Sequence, residues 1–283
     1  MVRASVRPHR RGAVFGVLVA IGLAASMPAS VGAGPGHIAG ASLVPAGHRS
    51  AEAAGKRGGG TANLVFHGGP ILPASSTYAV FWGPSASFSE LQPAMRSLLS
   101  GFGGSSYLNI AAQYMQGASV SSTFRGAVGD TTAPPRSAPK ASDLGAEVAK
   151  LGLPLDPHAL YVVYTSNLPK VNYCAWHDWT TQAGVAIQVA YVPMQPHSCS
   201  PLTVSNLNAN GYSDSTQAAA DSTAHEFMEA ITDPHINAWY DQHGAEIADK
   251  CNYTYQSVVT LANRTTWQIQ EEWSNAISGC QQQ

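Results

Sequence analysis

The run from Ser213 to Pro234 constrains this chain more than any other stretch. Ala218, Ala219, Ala220 and Ala224 bias it towards helix. Ser213 or Asp214 is suited to cap its start. Thr232-Asp233-Pro234 must end it, because proline cannot continue a helix and disfavours a helical residue before it. The spacing predicts a helix over 214–231. On it, His225 and Glu229 are one turn apart on a single face, and Glu226 points to the flank of that face.

This pattern carries a specific chemistry. In an H-E-x-x-H helix, two side chains one turn apart grip zinc and the intervening Glu is the general base. Here Glu229 stands where the second histidine would be, and zinc accepts carboxylate oxygens. The expectation is one zinc ion held by His225 and Glu229, with Glu226 catalytic. After the proline stop the chain must return to supply a third ligand. Asp249, twenty residues beyond Glu229, is the first choice; Glu246 and His177 are the alternatives. Asp221, one turn before His225, is expected to orient that histidine from outside the ligand set.

The plain reading of a His and a Glu at this spacing is a solvated pair. Against it stands the crowding of Glu226, Glu229, Glu246 and Asp249 in a chain with only 11% charged residues, which calls for a cationic partner. His67, His158, His197, His235 and His243 fall in loops and read as solvated; Trp239 and Tyr240 read as core or pocket wall. There is no Gly-x-Ser-x-Gly elbow, so a serine nucleophile has no support.

The N-terminus reads as a secretory leader over residues 1–33: Arg3, Arg7, Arg10 and Arg11, an apolar run over 13–25, and Val31-Gly-Ala33 as the cleavage site. Without it, eleven basic residues face seventeen acidic ones, a formal charge of −6. That balance gives no footprint for nucleic acid or for an anionic membrane surface. Residues 34–60, mainly Gly, Ala, Ser and Pro, bury too little to offset their ordering entropy and read as a disordered linker or pro-segment. Residues 61–283 are then a single domain. Cys174, Cys199, Cys251 and Cys280, an even count in an exported chain, are expected as disulfides. Sequence proximity favours Cys174 with Cys199 and Cys251 with Cys280.

Strands are expected over 63–67, 77–82, 120–128, 159–165 and 185–192, and helices over 89–99, 106–115 and 143–151, the last capped by Ser142. The continuous apolar run 159–165 reads as a central strand, and 185–192 as an edge or half-exposed one. Cys174 to Trp179 reads as an aromatic loop. Interleaved strands and helices make the fold class α+β, a mixed sheet packed on helices with a disulfide-braced irregular C-terminal part.

Several segments together resemble a known group. His225-Glu-x-x-Glu-Ala-x-Thr-Asp-Pro234, Asn237-Ala-Trp-Tyr-Asp241, Glu246-Ile-Ala-Asp249 with Cys251, and Trp273-Ser-Asn275 before Cys280 are similar to secreted zincin-like proteins of bacteria and fungi. His67-Gly-Gly-Pro70 and the strand after it resemble the start of the phosphate-induced protein 1, or EXORDIUM, family, secreted proteins linked in plants to growth signalling. The first resemblance implies a zincin-like fold, a secreted zinc metallopeptidase and an extracellular peptide or protein substrate, paired with the edge strand that precedes the active-site helix. The second implies a non-catalytic extracellular binding or signalling protein with a structural metal site.

Overall fold

A strand buried on both faces alternates its side chains between two cores, and residues 159–165 do so. Leu160, Val162 and Tyr164 belong to one apolar cluster, and Ala159, Tyr161 and Val163 to another. The computed structural model describes residues 41–43, 62–205, 207 and 210–283. The expected leader over 1–33 and most of the expected linker over 34–60 lie outside these residues.

The elements begin with strands β1 (Ala41–Leu43), β2 (Val65–Phe66) and β3 (Ala74–Trp82). Helix α1 (Leu91–Phe102), the short α2 (Ser106–Asn109), β4 (Ser121–Asp130), α3 (Ala141–Lys150) and β5 (Ala159–Thr165) follow. Next come β6 (Tyr173–Gln182), β7 (Val185–Val192) and the long α4 (Asp214–Thr232). The remainder is irregular, with the two-residue or three-residue strands β8 (Trp239–Tyr240), β9 (Val259–Thr260), β10 (Thr266–Trp267), β11 (Glu272–Ser274) and β12 (Gly279–Gln281).

The main sheet runs β1-β6-β7-β5-β3-β4. Strands β4, β3, β5 and β7 are parallel neighbours, and β6 and β1 are antiparallel additions. Helices α1 and α4 cover one face, with Phe102 stacked on Phe227 at 4.4 Å; α3 covers the other with Leu144 and Val148. The α+β class, with a mixed sheet on helices, is therefore what the chain adopts. Both disulfides form as proximity suggests, Cys174–Cys199 and Cys251–Cys280. Among the described residues no helix is long and apolar enough to cross a membrane.

Four expectations need correction. Residues 174–179 are not a loop: they lie within β6, which turns through Ala183 and Gly184, both at positive φ, into β7. That two-residue turn is the kind that matches the twist of an antiparallel pair. In consequence β7 is an interior strand, not an edge, since β6 flanks it and β1 in turn pairs with β6. The helix at 143–151 starts earlier, at Ala141, with Lys140 and not Ser142 as the cap; the Asp143 carboxylate accepts from the Lys140 backbone N–H. Within the linker, Ala41–Leu43 is a strand, paired with Tyr173–Trp176.

The layering positions the polar cluster. Helix α4 is buried on every side from Thr216 to Thr232. Its alanines let it sit close to the sheet, and Ser213 caps it by accepting from the Thr216 N–H. On the facing strand His177 is paired with Ala190 across the β6–β7 ladder. It shares the face of Ala175, towards α4, while Trp176 on the opposite face packs against Tyr191. A small residue opposite His177 leaves its imidazole room to reach the helix.

Candidate metal centre

The helix stop does what its sequence requires and then builds the return loop. The Asp233 carboxylate accepts from the backbone N–H groups of Asn237, Ala238 and Trp239. Asp241 accepts from those of His243 and Ala245 and pairs with Lys250 at 3.2 Å. These two acids are structural: each satisfies a turn that has no ladder of its own. The turn at Asp249–Cys251 is then joined to β12 by the Cys251–Cys280 bond.

This return brings the expected side chains together. His225 Nε2 lies 3.1 Å from Glu229 Oε1 and 3.7 Å from Asp249 Oδ1. On the other side of Glu229, His177 Nδ1 lies 3.3 Å from Glu226 Oε2 and 3.5 Å from Glu229 Oε2. Two sets of donor atoms result, His225 with Glu229 and Asp249, and His177 with Glu226 and Glu229; in each the atoms lie within 4.8 Å of one another. Neighbouring ligands of a tetrahedral zinc with bonds of about 2.0–2.1 Å are separated by about 3.3 Å, close to the 3.1 Å between His225 and Glu229 and the 3.3 and 3.5 Å from His177 to Glu226 and Glu229. Glu246 falls on the His177 side, its Oε1 3.8 Å from Nε2 of that ring. Asp249 is thus the acid that joins His225, and Glu246 is not.

The ring tautomers are fixed from outside. Gln270 donates from its Nε2 to the Ala248 carbonyl at 2.8 Å, which turns its Oε1 towards His225 Nδ1 at 3.2 Å. An amide oxygen only accepts, so Nδ1 carries the hydrogen and Nε2 is left to face the carboxylates. His177 is held likewise: its Nε2 meets the Asp233 carbonyl at 3.3 Å, leaving Nδ1 to point inward. Asp221 acts one step further out than expected. It accepts from the Gln270 backbone N–H and from Tyr255, and Gln270, not Asp221, touches His225. Gln270 escaped the sequence reading because it lies in a stretch with no periodicity, forty-five residues beyond His225.

Replacing Gln270 by leucine, of similar size but without an acceptor, frees the His225 tautomer. Affinity for a divalent metal ion at this position should fall about 10–100-fold, the usual effect of losing such a partner. Competition with a chromophoric chelator measures it, and unchanged affinity would remove Gln270 from this role.

The cluster is electrostatically poised. Burial alone would depress both histidines, but Glu229 and Asp249 around His225, and Glu246, Glu226 and Glu229 around His177, more than offset it and leave both raised. Burial raises Glu226, Glu246 and Asp249, the last two helped by the nearby Glu229 charge. Glu229 runs the other way: burial opposes its ionisation, yet His225 and then His177 hold it below the usual carboxylate range. Four buried atoms of the cluster, His225 Nε2, Glu226 Oε1, Glu229 Oε2 and Glu246 Oε1, have no hydrogen-bond partner. Orphaned polar atoms at this depth are costly unless something binds them.

Access is narrow. Glu226, Glu229 and His177 are fully buried, and only Asp249, with a quarter of its side chain exposed, meets solvent. A cavity of about 340 Å³ lies elsewhere, lined by Phe88, Glu90, Thr165, Met194, Gln195 and Thr216 among others, and no side chain of the cluster is in its wall. Among the described residues, His67, His158, His197, His235 and His243 join neither donor set, and His235 is half-buried against Trp179 at 4.5 Å, not solvated as expected. Compared with family models, curated proteins and solved structures, the chain has no significant match.

Proposed function

We propose that this protein is a secreted, zincin-like, zinc-dependent hydrolase that cleaves peptide bonds in an extracellular peptide or protein. One observation carries the reading: His225 Nε2, Glu229 Oε1 and Asp249 Oδ1 converge at ligand spacing with Glu226 beside them on the same helix. A zinc ion held there would polarise a carbonyl and acidify a water. His225, Glu229 and Asp249 hold the ion. Glu226, whose proton affinity burial raises, takes the proton of the attacking water and returns it to the leaving amine. The basic, apolar leader and the two disulfides support export.

A second reading is favoured by the depth of the cluster. With Glu226 and Glu229 fully buried, the ion would be structural and the protein a non-catalytic, EXORDIUM-like extracellular binding or signalling protein.

Metal analysis and a proteolysis assay on the mature protein separate the two. The hydrolase reading expects bound zinc, cleavage of an unfolded protein such as labelled casein, loss of cleavage on chelation and its return with zinc. Bound zinc with no cleavage of casein or of a broad peptide library selects the structural reading. Metal that persists undiminished in His225→Ala would point to oxygen-only coordination, as for calcium. Zinc affinity should also rise with pH through and above the ordinary histidine range. Both imidazoles hold their protons more tightly than usual, and those protons must leave before the ring nitrogens can bind. A pH-independent affinity would argue against histidine ligation.

A further inference from the structure

We infer that the centre is built for two divalent cations bridged by Glu229, the second held by His177 Nδ1, Glu226 Oε2 and Glu229 Oε2. This rests on the reading that the His225 position binds zinc. The two donor sets share Glu229 and no other residue. Its carboxylate is split between them, Oε1 towards His225 at 3.1 Å and Oε2 towards His177 at 3.5 Å. A carboxylate with each oxygen aimed at a different imidazole is the arrangement of a bridging ligand, which holds ions about 3.5–4 Å apart in two-metal sites.

Three further observations support a second ion over a merely hydrogen-bonded His177. The ring is tied from outside by the Asp233 carbonyl, as His225 is by Gln270, so both histidines carry the outer contact typical of metal ligands. Glu229 Oε2 is fully buried and unpartnered although His177 lies beside it. Composition points the same way: four carboxylates, those of Glu226, Glu229, Glu246 and Asp249, gather around two imidazoles, more acidic groups than the single set at His225 uses. Glu246, next to His177 Nε2 and also unpartnered, adds its field to the second position. One nitrogen and two carboxylate oxygens form a donor set suited to zinc and its usual surrogate cobalt. Glu226 keeps one oxygen, Oε1, free of any partner, so the same residue can hold the second ion and still accept a proton.

Cobalt(II) titration of the metal-free mature protein, followed by visible absorption and electron paramagnetic resonance, tests this. Absorption should rise to two equivalents, while the paramagnetic signal grows with the first and weakens with the second as the bridged ions couple. His177→Gln should bind one equivalent and show the uncoupled signal, and Glu229→Gln should weaken both positions, with circular dichroism confirming that each variant is folded. If His177→Gln does not fold, the wild-type titration decides alone. Saturation at one equivalent, or two equivalents with no coupling, overturns the bridged pair and leaves the zinc hydrolase reading standing. No bound cobalt removes both.

Discussion

Glu226→Gln is expected to lower peptide hydrolysis by about 10²–10⁴-fold, the range for losing a positioned general base, while zinc stays bound at the His225 position. Glutamine keeps the volume of this fully buried side chain but has no carboxylate to take up a proton. The carboxylates that face His225 Nε2 belong to Glu229 and Asp249, which the substitution leaves in place. The measurement pairs zinc content with the rate of casein cleavage. Undiminished cleavage would take Glu226 out of the chemistry; loss of all zinc would mean that its carboxylate is needed to hold the first ion.

The second large effect concerns the loop that carries Asp249. That residue begins a single turn whose third member, Cys251, is bonded to Cys280. The turn leans on β11 through the Trp273 N–H to the Ile247 carbonyl, and the Asp249 N–H itself donates to Glu229 Oε1 at 3.2 Å. Replacing both cysteines by serine opens a loop with a sequence separation of 29. The chain-entropy account puts the loss at about 3–4 kcal/mol, a fall of roughly 10 °C in Tm for a domain of this size. Zinc affinity should fall with it, because the acid that completes the His225 set is no longer pinned. The Cys174–Cys199 pair, with a separation of 25, is the control. Its removal should cost similar stability but leave the His225 position near wild-type affinity. Calorimetry and chelator competition read the two effects separately, and equal loss of zinc in both variants would refute a specific role for Cys251.

The candidate site was only partly legible in the sequence, and the division follows the range of the forces. Helical periodicity is a local property, so the span of α4, its serine cap, its proline stop and the facing of His225 and Glu229 follow from residues within a turn of one another. Disulfide partners were legible because the close pairs were also the ones the fold brought together. His177 was harder. Its segment reads as an aromatic loop until its pairing with residues 185–191 makes it a strand. Even then a register shift of one residue would have sent the imidazole to the α3 face and Trp176 towards the helix.

By itself, then, the sequence determined the class of fold, the long helix that carries the cluster and the His225–Glu229 pair one turn apart on it. Tertiary structure alone decided that Asp249 and not Glu246 meets His225, that Gln270 stands between Asp221 and that ring, and that β7 is interior. It also divided the oxygens of Glu229 between two histidines. These are contacts between residues 20 to more than 50 positions apart, set by how the sheet, the helix and the disulfide-closed return pack together, and no short-range pattern encodes such distances.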